Sequence, residues 1–363
     1  MKILFDHQVF SWQRYGGISR YFANIYDTIK EQSDIDAGIG LLYSENYYIR
    51  DFKGFLSNDF GKLILSKSSR RYKWNKQYSK YLIKSSDFDI FHPTYYNPYF
   101  INKIKKPYVL TVHDMIHELM PEYFNTNDQV SYQKRLCVEK ASHIIAISET
   151  TKTDLINILG ISDDKITVIH HGYKYHNITT NHLSNEQNGD YLLFVGDRAG
   201  YKNFTNFLSA IAPLLLERNN LRLICAGGGS FQSMERELLL RLKLTEKVTQ
   251  ISASEAQLHQ LYANAILFVF PSLYEGFGLP LLEAFQQDCP IIASDNACFR
   301  EILGNAGNYF DPLSHSEILN KVKKLVDDTL LRNELVIHGK RRLKDFTMQE
   351  CMDKTINVYR NLK

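Results

Sequence analysis

Short apolar runs alternate with amphipathic stretches along the chain, and the alternation is completed twice. In the first half, residues 3–5, 90–92, 108–112, 143–147 and 166–169 read as buried strands, because apolar runs this short, bounded by polar residues, fit strands better than helices. Helical stretches such as 18–31 and 130–141 lie between them. The pattern restarts at Tyr191-Leu192-Leu193-Phe194-Val195-Gly196, with further strands at 221–226, 248–251, 265–270 and 290–293. Strands alternating with helices predict parallel sheets, and two such series predict two α/β domains. Residues 174–190 are polar and rich in Asn, Thr and Ser, the composition of an interdomain linker. A last helix is expected over 348–362.

Composition narrows the function classes. A chain of 363 residues is long enough for two ordinary domains with large cores. A net charge of +3, with no binding motif, argues against a nucleic-acid partner. Five cysteines, an odd number without framework spacing or a CxxC, fit a reducing cytoplasm. The N-terminus passes directly into a strand and no apolar run approaches a membrane span, so a cytoplasmic location is expected, with any membrane contact peripheral. The stretch 70–81, basic and aromatic, is either a solvated face or a surface that rests on an anionic bilayer.

The chemistry concentrates in Phe270-Pro271-Ser272-Leu273-Tyr274-Glu275-Gly276-Phe277-Gly278-Leu279-Pro280-Leu281-Leu282-Glu283. An apolar strand leads in, Gly276 and Gly278 allow a tight turn, and Pro280 suits the start of a helix whose N–H groups attract an anion. Glu275 falls on the loop and Glu283 about one turn into the helix. A carboxylate beside an anion site is unfavourable unless it has a task, and hydrogen-bonding sugar hydroxyls is such a task. After the restarted strand, Arg198 and Lys202 stand four residues apart, where two cations can clamp a diphosphate.

Four further stretches in the first half carry weaker signals. Gly16-Gly17 opens a helix and lets a diphosphate approach backbone N–H groups. His113 ends a buried strand, where ligands bind in α/β sheets; a satisfied structural histidine is the plainer reading. His113 and His117 have the spacing of a zinc-protease pair, but the first ends a strand instead of lying on a helix, so no metal site is expected. Phe91-His92-Pro93-Thr94-Tyr95-Tyr96-Asn97 is suited to stacking on sugar rings, and Asp87-Phe88-Asp89 precedes a strand and reads as a turn.

The spacing Glu-x7-Glu around Gly-x-Gly-x-Pro resembles the retaining glycosyltransferases of family 4 (glycosyl transferases group 1), and the resemblance extends over nearly the whole chain. It implies the GT-B fold, α/β with two Rossmann-like domains facing across a cleft and a C-terminal helix crossing back to the first domain. The implied boundaries are 1–173 for an acceptor-binding domain, 174–345 for a nucleotide-sugar-binding domain and 346–363 for the returning helix. The activity implied is transfer of a hexose from a nucleotide sugar to a glycan or lipid-linked glycan hydroxyl, with retention and without a metal. By the resemblance Glu275 orients the donor sugar, Glu283 binds the ribose, and Gly276, Phe277, Gly278 and Leu279 hold sugar or phosphate. Arg198 and Lys202 stabilise the leaving diphosphate, Gly16 and Gly17 border it, and His113 lies near the reacting carbon. Family-level expectation points to surface polysaccharide (O-antigen or capsule) synthesis at the cytoplasmic face of the inner membrane. GDP-mannose is the first donor expected, with UDP-hexoses next. A sugar-nucleotide epimerase of the same fold and a non-catalytic sugar-nucleotide-binding subunit are the alternatives; a dehydrogenase is disfavoured because no Gly-x-Gly-x-x-Gly follows the first strand.

Overall fold

A computed structural model describes residues 1–52, 54–173 and 189–363. Two compact units are present, one formed by Met1–Gly172 with Gln349–Lys363, the other by Tyr173–Met348. The expected linker lies outside the described residues, except for its last two positions, and Asp190 already opens a strand.

The first unit holds six parallel strands: β1 (Lys2–Phe5), β2 (Asp36–Ile39), β3 (Ile90–His92), β4 (Val109–Val112), β5 (His143–Ala146) and β6 (Ile166–Val168). They form two three-stranded ladders, β2-β1-β3 and β4-β5-β6, joined by one parallel bridge between Phe91 and Tyr108. Phe91, Leu110, Val112, Ile144, Ala146 and Leu155 are core residues here, each fully buried. Burial of one such side chain contributes about 1.5–3 kcal/mol for the larger ones. The C-terminal helix Met348–Asn361 buries Cys351, Met352, Thr355, Ile356, Val358 and Tyr359, a stripe at helical spacing. Its end is fixed to the first unit by an Arg360–Asp34 ion pair of 2.7 Å.

The second unit is one six-stranded parallel sheet of β7 (Asp190–Val195), β8 (Leu221–Ala226), β9 (Val248–Ile251), β10 (Leu267–Phe270), β11 (Ile291–Ser294) and β12 (Gly307–Phe310). Its order, β12-β11-β10-β7-β8-β9, is the dinucleotide-binding order with the reversal between β7 and β10. Leu192, Phe194, Phe207, Ile211, Leu223 and Val269 fill the core beneath it.

β2 and β12 have no counterpart in the strand pattern read from the sequence. Both are edge strands, reading Asp-Ala-Gly-Ile and Gly-Asn-Tyr-Phe, and each leaves positions partly open. An edge strand is paired on one side only, so it needs no continuous apolar run, and in these two the apolar positions are too few for periodicity to mark.

Candidate functional site

In open α/β sheets ligands bind beyond the carboxyl ends of the strands at the point where strand order reverses. In the second unit both candidate loops start at that point. β7 leads through Gly196 and Arg198 into a short turn, Gly200–Lys202, and Asn203 in left-handed conformation starts the helix Phe204–Glu217. β10 leads through Glu275 to Gly278, which has φ +100° and caps the helix Leu279–Gln286. A Cβ on Gly278 would lie 3.1 Å from a Phe270 ring carbon, so both backbone conformation and space call for glycine. The Leu273 N–H donates to the Tyr201 carbonyl at 2.8 Å and ties the two loops together. As a result Lys202 Nζ stands 2.6 Å from Glu275 Oε1, with side chains 19% and 11% exposed.

The expected side-by-side cations are separated. Arg198 turns from Lys202's partner to Glu235, donating from Nε at 2.7 Å, and its terminal nitrogens donate to the carbonyls of Gly227 and Gly229, both at 2.9 Å. Its side chain is 2% exposed. A guanidinium has five N–H donors, and here they organise the loop after β8. A Cβ at Gly228 would come within 2.7 Å of Arg198 Nη1, which explains a glycine at that position. Lys202 is thus the cation that faces the second carboxylate loop, and Arg198 holds the neighbouring loop in shape.

Glu283 lies three residues beyond Pro280 on the short helix, and the Tyr262 hydroxyl donates to its Oε2 at 3.3 Å. Burial, reinforced by the Glu283 charge, keeps the Tyr262 phenol protonated by raising its pKa well above the usual value. Phe277 is directed inward, its ring set edge-on against Phe346 at 5.7 Å. Any ligand contact from Phe277 therefore comes from its backbone. Leu281 N–H donates to the Gly278 carbonyl at 2.9 Å, and Pro280 has no N–H to offer.

In the first unit Gly16 caps the helix Gly17–Lys30. A Cβ on Gly16 would meet the Gln13 carboxamide at 2.6 Å, and Gln13 Oε1 accepts from the Ser19 N–H at 3.1 Å. A side chain at Gly16 would therefore displace the Gln13 carboxamide, which engages one of the helix's leading N–H groups. His113 follows β4 and is buried, with its backbone N–H donating to the Tyr96 hydroxyl at 2.9 Å. Burial lowers its pKa to about 4, against a smaller opposing pull from Asp114, so the imidazole is neutral. Its Nε2 has no hydrogen-bond partner among the described residues. Lys134, fully buried, braces this loop by donating to the Asp114 carbonyl at 2.8 Å and to Glu118 at 2.7 Å.

Other stretches make contacts within the first unit. Asp89 accepts from the Lys2 N–H at 2.9 Å, and Asp87 pairs with the Lys2 ammonium at 2.5 Å, so the DxD pins the entry to β3. In the loop after β3, Thr94 is held by Asp6, which accepts from both its N–H (2.8 Å) and its hydroxyl (2.7 Å). The basic stretch forms the helix Ser68–Ser85; Arg71, Asn75 and Ser79 face inward, and Trp74 and Tyr81 stay exposed. No helix among the described residues is long and apolar enough to cross a membrane.

Residues 179–342 match the family model for glycosyl transferases group 1, and residues 55–175 match that for glycosyltransferase family 4. The chain belongs to the group 1 glycosyltransferases. This glycosyltransferase is 26% identical over 219 residues to the O-antigen chain mannosyltransferase RfbU of Salmonella typhimurium, spanning 60% of each protein. It is 28% identical over 293 residues to the O-antigen chain mannosyltransferase B of Escherichia coli, spanning 75% of this chain and 74% of that one. Among solved structures, Anabaena Alr3699/HepE in complex with UDP and glucose matches over the full length of both chains with a TM-score of 0.77 at 18% identity. The lipopolysaccharide outer core galactosyltransferase WaaB in its apo form matches over the full length of both with a TM-score of 0.68 at 17% identity. These likenesses give the glycosyltransferase its GT-B fold.

Sequence reading passed over Glu235, Tyr262 and Gln13, each of which sets the position of a candidate residue. Glu235 lies 37 residues from Arg198 and Tyr262 lies 21 from Glu283. Only the return of the chain to the same sheet edge brings them together, so no local spacing marks them. Among the described residues of the glycosyltransferase, no group of three His, Cys, Asp or Glu side chains is arranged to hold a metal ion.

Proposed function

We propose that the protein transfers a hexose from a nucleoside diphosphate sugar to a hydroxyl of a glycan or lipid-linked glycan, with retention of configuration and without a bound metal, in the synthesis of a surface polysaccharide. The observation that carries this reading is the Lys202–Glu275 pair, 2.6 Å apart at the reversal point of the second sheet. One loop offers a cation and the other a carboxylate at the place where such a sheet receives a nucleotide. In this reading Lys202 stabilises the negative charge that develops on the departing diphosphate, and Glu275 holds the donor sugar through its hydroxyls. The backbone of Gly276, Phe277, Gly278 and Leu279 contacts sugar or phosphate, and Gly16 and Gly17 border the diphosphate. The acceptor attacks from the face the diphosphate leaves; its proton passes to the departing phosphate oxygen as the new C–O bond forms. His113, neutral and with Nε2 available, is proposed to meet the reacting sugar. Arg198 is proposed to act by shaping the loop after β8.

Glu283 is proposed to bind the ribose, with Tyr262 fixing its carboxylate. Tyr262→Phe is then expected to weaken donor-nucleotide binding by about 0.5–1.5 kcal/mol, the contribution of one hydrogen bond, measured by calorimetry. An unchanged affinity would remove Glu283 from the nucleotide site.

The mannosyltransferases RfbU and mannosyltransferase B support mannose as the first sugar to test, and the UDP and glucose bound by HepE support UDP-hexoses as the next. The test is a transfer assay with GDP-mannose and UDP-hexoses, a lipid-linked glycan acceptor and EDTA, followed by NMR of the new linkage. An α-linked product from an α-linked donor is expected. Inversion would refute retention, and acceptor-independent release of an isomerised sugar nucleotide would indicate an epimerase instead.

A further inference from the structure

The first unit carries a line of polar groups through its core that neither packing nor the donor chemistry requires. Tyr359, on the C-terminal helix, places its hydroxyl 2.7 Å from His92 Nδ1 at the end of β3. His92 Nε2 lies 2.9 Å from Thr111 Oγ1 on β4, and Thr111 Oγ1 lies 3.2 Å from the Tyr21 hydroxyl on the helix Gly17–Lys30. Three hydrogen bonds thus connect four elements, and all four residues are buried. A buried polar network that is satisfied throughout favours one arrangement of the elements it joins.

The chain ends against His113. Thr111 and His113 are two apart at the end of one strand, the spacing of side chains on one face. Tyr21 spans both: its hydroxyl reaches Thr111, and its ring is set edge-on to His113 at 5.6 Å and 86°. The same ring is edge-on to His171 at 4.8 Å, and His171 stacks on His113 at 6.1 Å and 19°. His113 Nε2 has no hydrogen-bond partner among the described residues, so the ring's aim is set by the aromatic rings around it.

We infer that Tyr359 is a positioning residue: through His92, Thr111 and Tyr21, the C-terminal helix sets the orientation of the His113 ring. The inference rests on the reading that His113 meets the reacting sugar, and it gives the C-terminal helix a task beyond packing. Removing the Tyr359 hydroxyl breaks the line at its far end, leaves His113 and its immediate neighbours chemically intact, and lets Tyr21 and His113 take up other orientations.

The test compares Tyr359→Phe, Thr111→Val, the double variant and a control, Ile356→Val, which trims the same buried helix face off the line. Full-length protein labelled with 13C and 15N in histidine reports each ring by NMR, and kinetics report kcat and donor KM separately. Tyr359→Phe and Thr111→Val are each expected to shift the His113 signals as well as those of His92, and to lower kcat about tenfold through misplacement of the ring, with donor KM unchanged. The double variant is expected to fall no further than either single one, because both cut one line, and Ile356→Val should leave the His113 signals and kcat as they were. The inference is overturned if the His113 signals stay fixed in both single variants, or if Ile356→Val lowers kcat as much as they do. Should the wild-type protein transfer no sugar, the proposed function fails separately, and the NMR comparison still decides the coupling.

Discussion

Acidification from pH 7 to pH 4.5 is expected to unfold the first unit before the second. Three of its histidines are buried and held neutral by desolvation, with pKa values lowered to about 3 for His7, about 3 for His92 and about 4 for His113. His171 is shifted the same way, well below its usual value. Between the unfolded value near 6.5 and these folded values, the unfolded chain binds protons that the native chain refuses, so stability is complete above about pH 6.5 and falls as pH falls. Each histidine removes about 1.4 kcal/mol per pH unit in that window. Three of them over two units remove about 8 kcal/mol, comparable with the whole stability of an ordinary domain. Asp6 acts in the opposite sense, because burial raises its pKa and the native chain then binds a proton the unfolded one has released. One such group offsets only part of the loss. Thermal melts at pH 7, 6, 5 and 4.5 should show the lower transition moving down steeply. A melting profile that is flat from pH 7 to pH 5 would show that these rings are not kept neutral by burial.

Lys202→Ala is expected to depress turnover by about 2–4 kcal/mol, the effect of removing one group that meets developing negative charge, or roughly 30- to 1,000-fold. Because Lys202 sits 2.6 Å from Glu275, the single variant also leaves a largely buried carboxylate without its cation. The combined variant Lys202→Ala with Glu275→Gln separates the two effects. If Lys202 serves only to neutralise Glu275, removing both restores turnover toward that of Glu275→Gln alone. If Lys202 meets the leaving diphosphate, the combined variant stays well below Glu275→Gln. Lys202→Ala alone is expected to lower the melting temperature, because it leaves the Glu275 carboxylate unpaired, and the combined variant to recover part of the loss; thermal melts of both check this.

The alternation of strands and helices was legible because buried parallel strands are written as apolar runs; β10, reading Leu-Phe-Val-Phe and buried throughout, falls within the residues the pattern predicts. β2 and β12 were not legible, because an edge strand of small and polar residues carries no such run. The Glu-x7-Glu loop was legible because its glycines and proline are local requirements of a tight turn entering a helix. The separate fates of Arg198 and Lys202 were not, since the partner that draws Arg198 away, Glu235, is brought close only by tertiary folding. Spacing of four along a loop says nothing of direction when the chain between turns through left-handed residues such as Gly200 and continues to Asn203. The line from Tyr359 to Tyr21 was equally hidden, because partners bonded along it lie up to 267 residues apart.

The most direct test of the account is a calorimetric titration of GDP and of UDP, with EDTA present, into the wild-type protein and into Lys202→Ala. One nucleotide is predicted to bind the wild type without metal and to bind the variant far more weakly, which would place the diphosphate at Lys202 and name the base of the donor. Failure of both nucleotides to bind the folded wild-type protein, or binding that appears only when a divalent cation is restored, would contradict a donor site built on the Lys202–Glu275 pair.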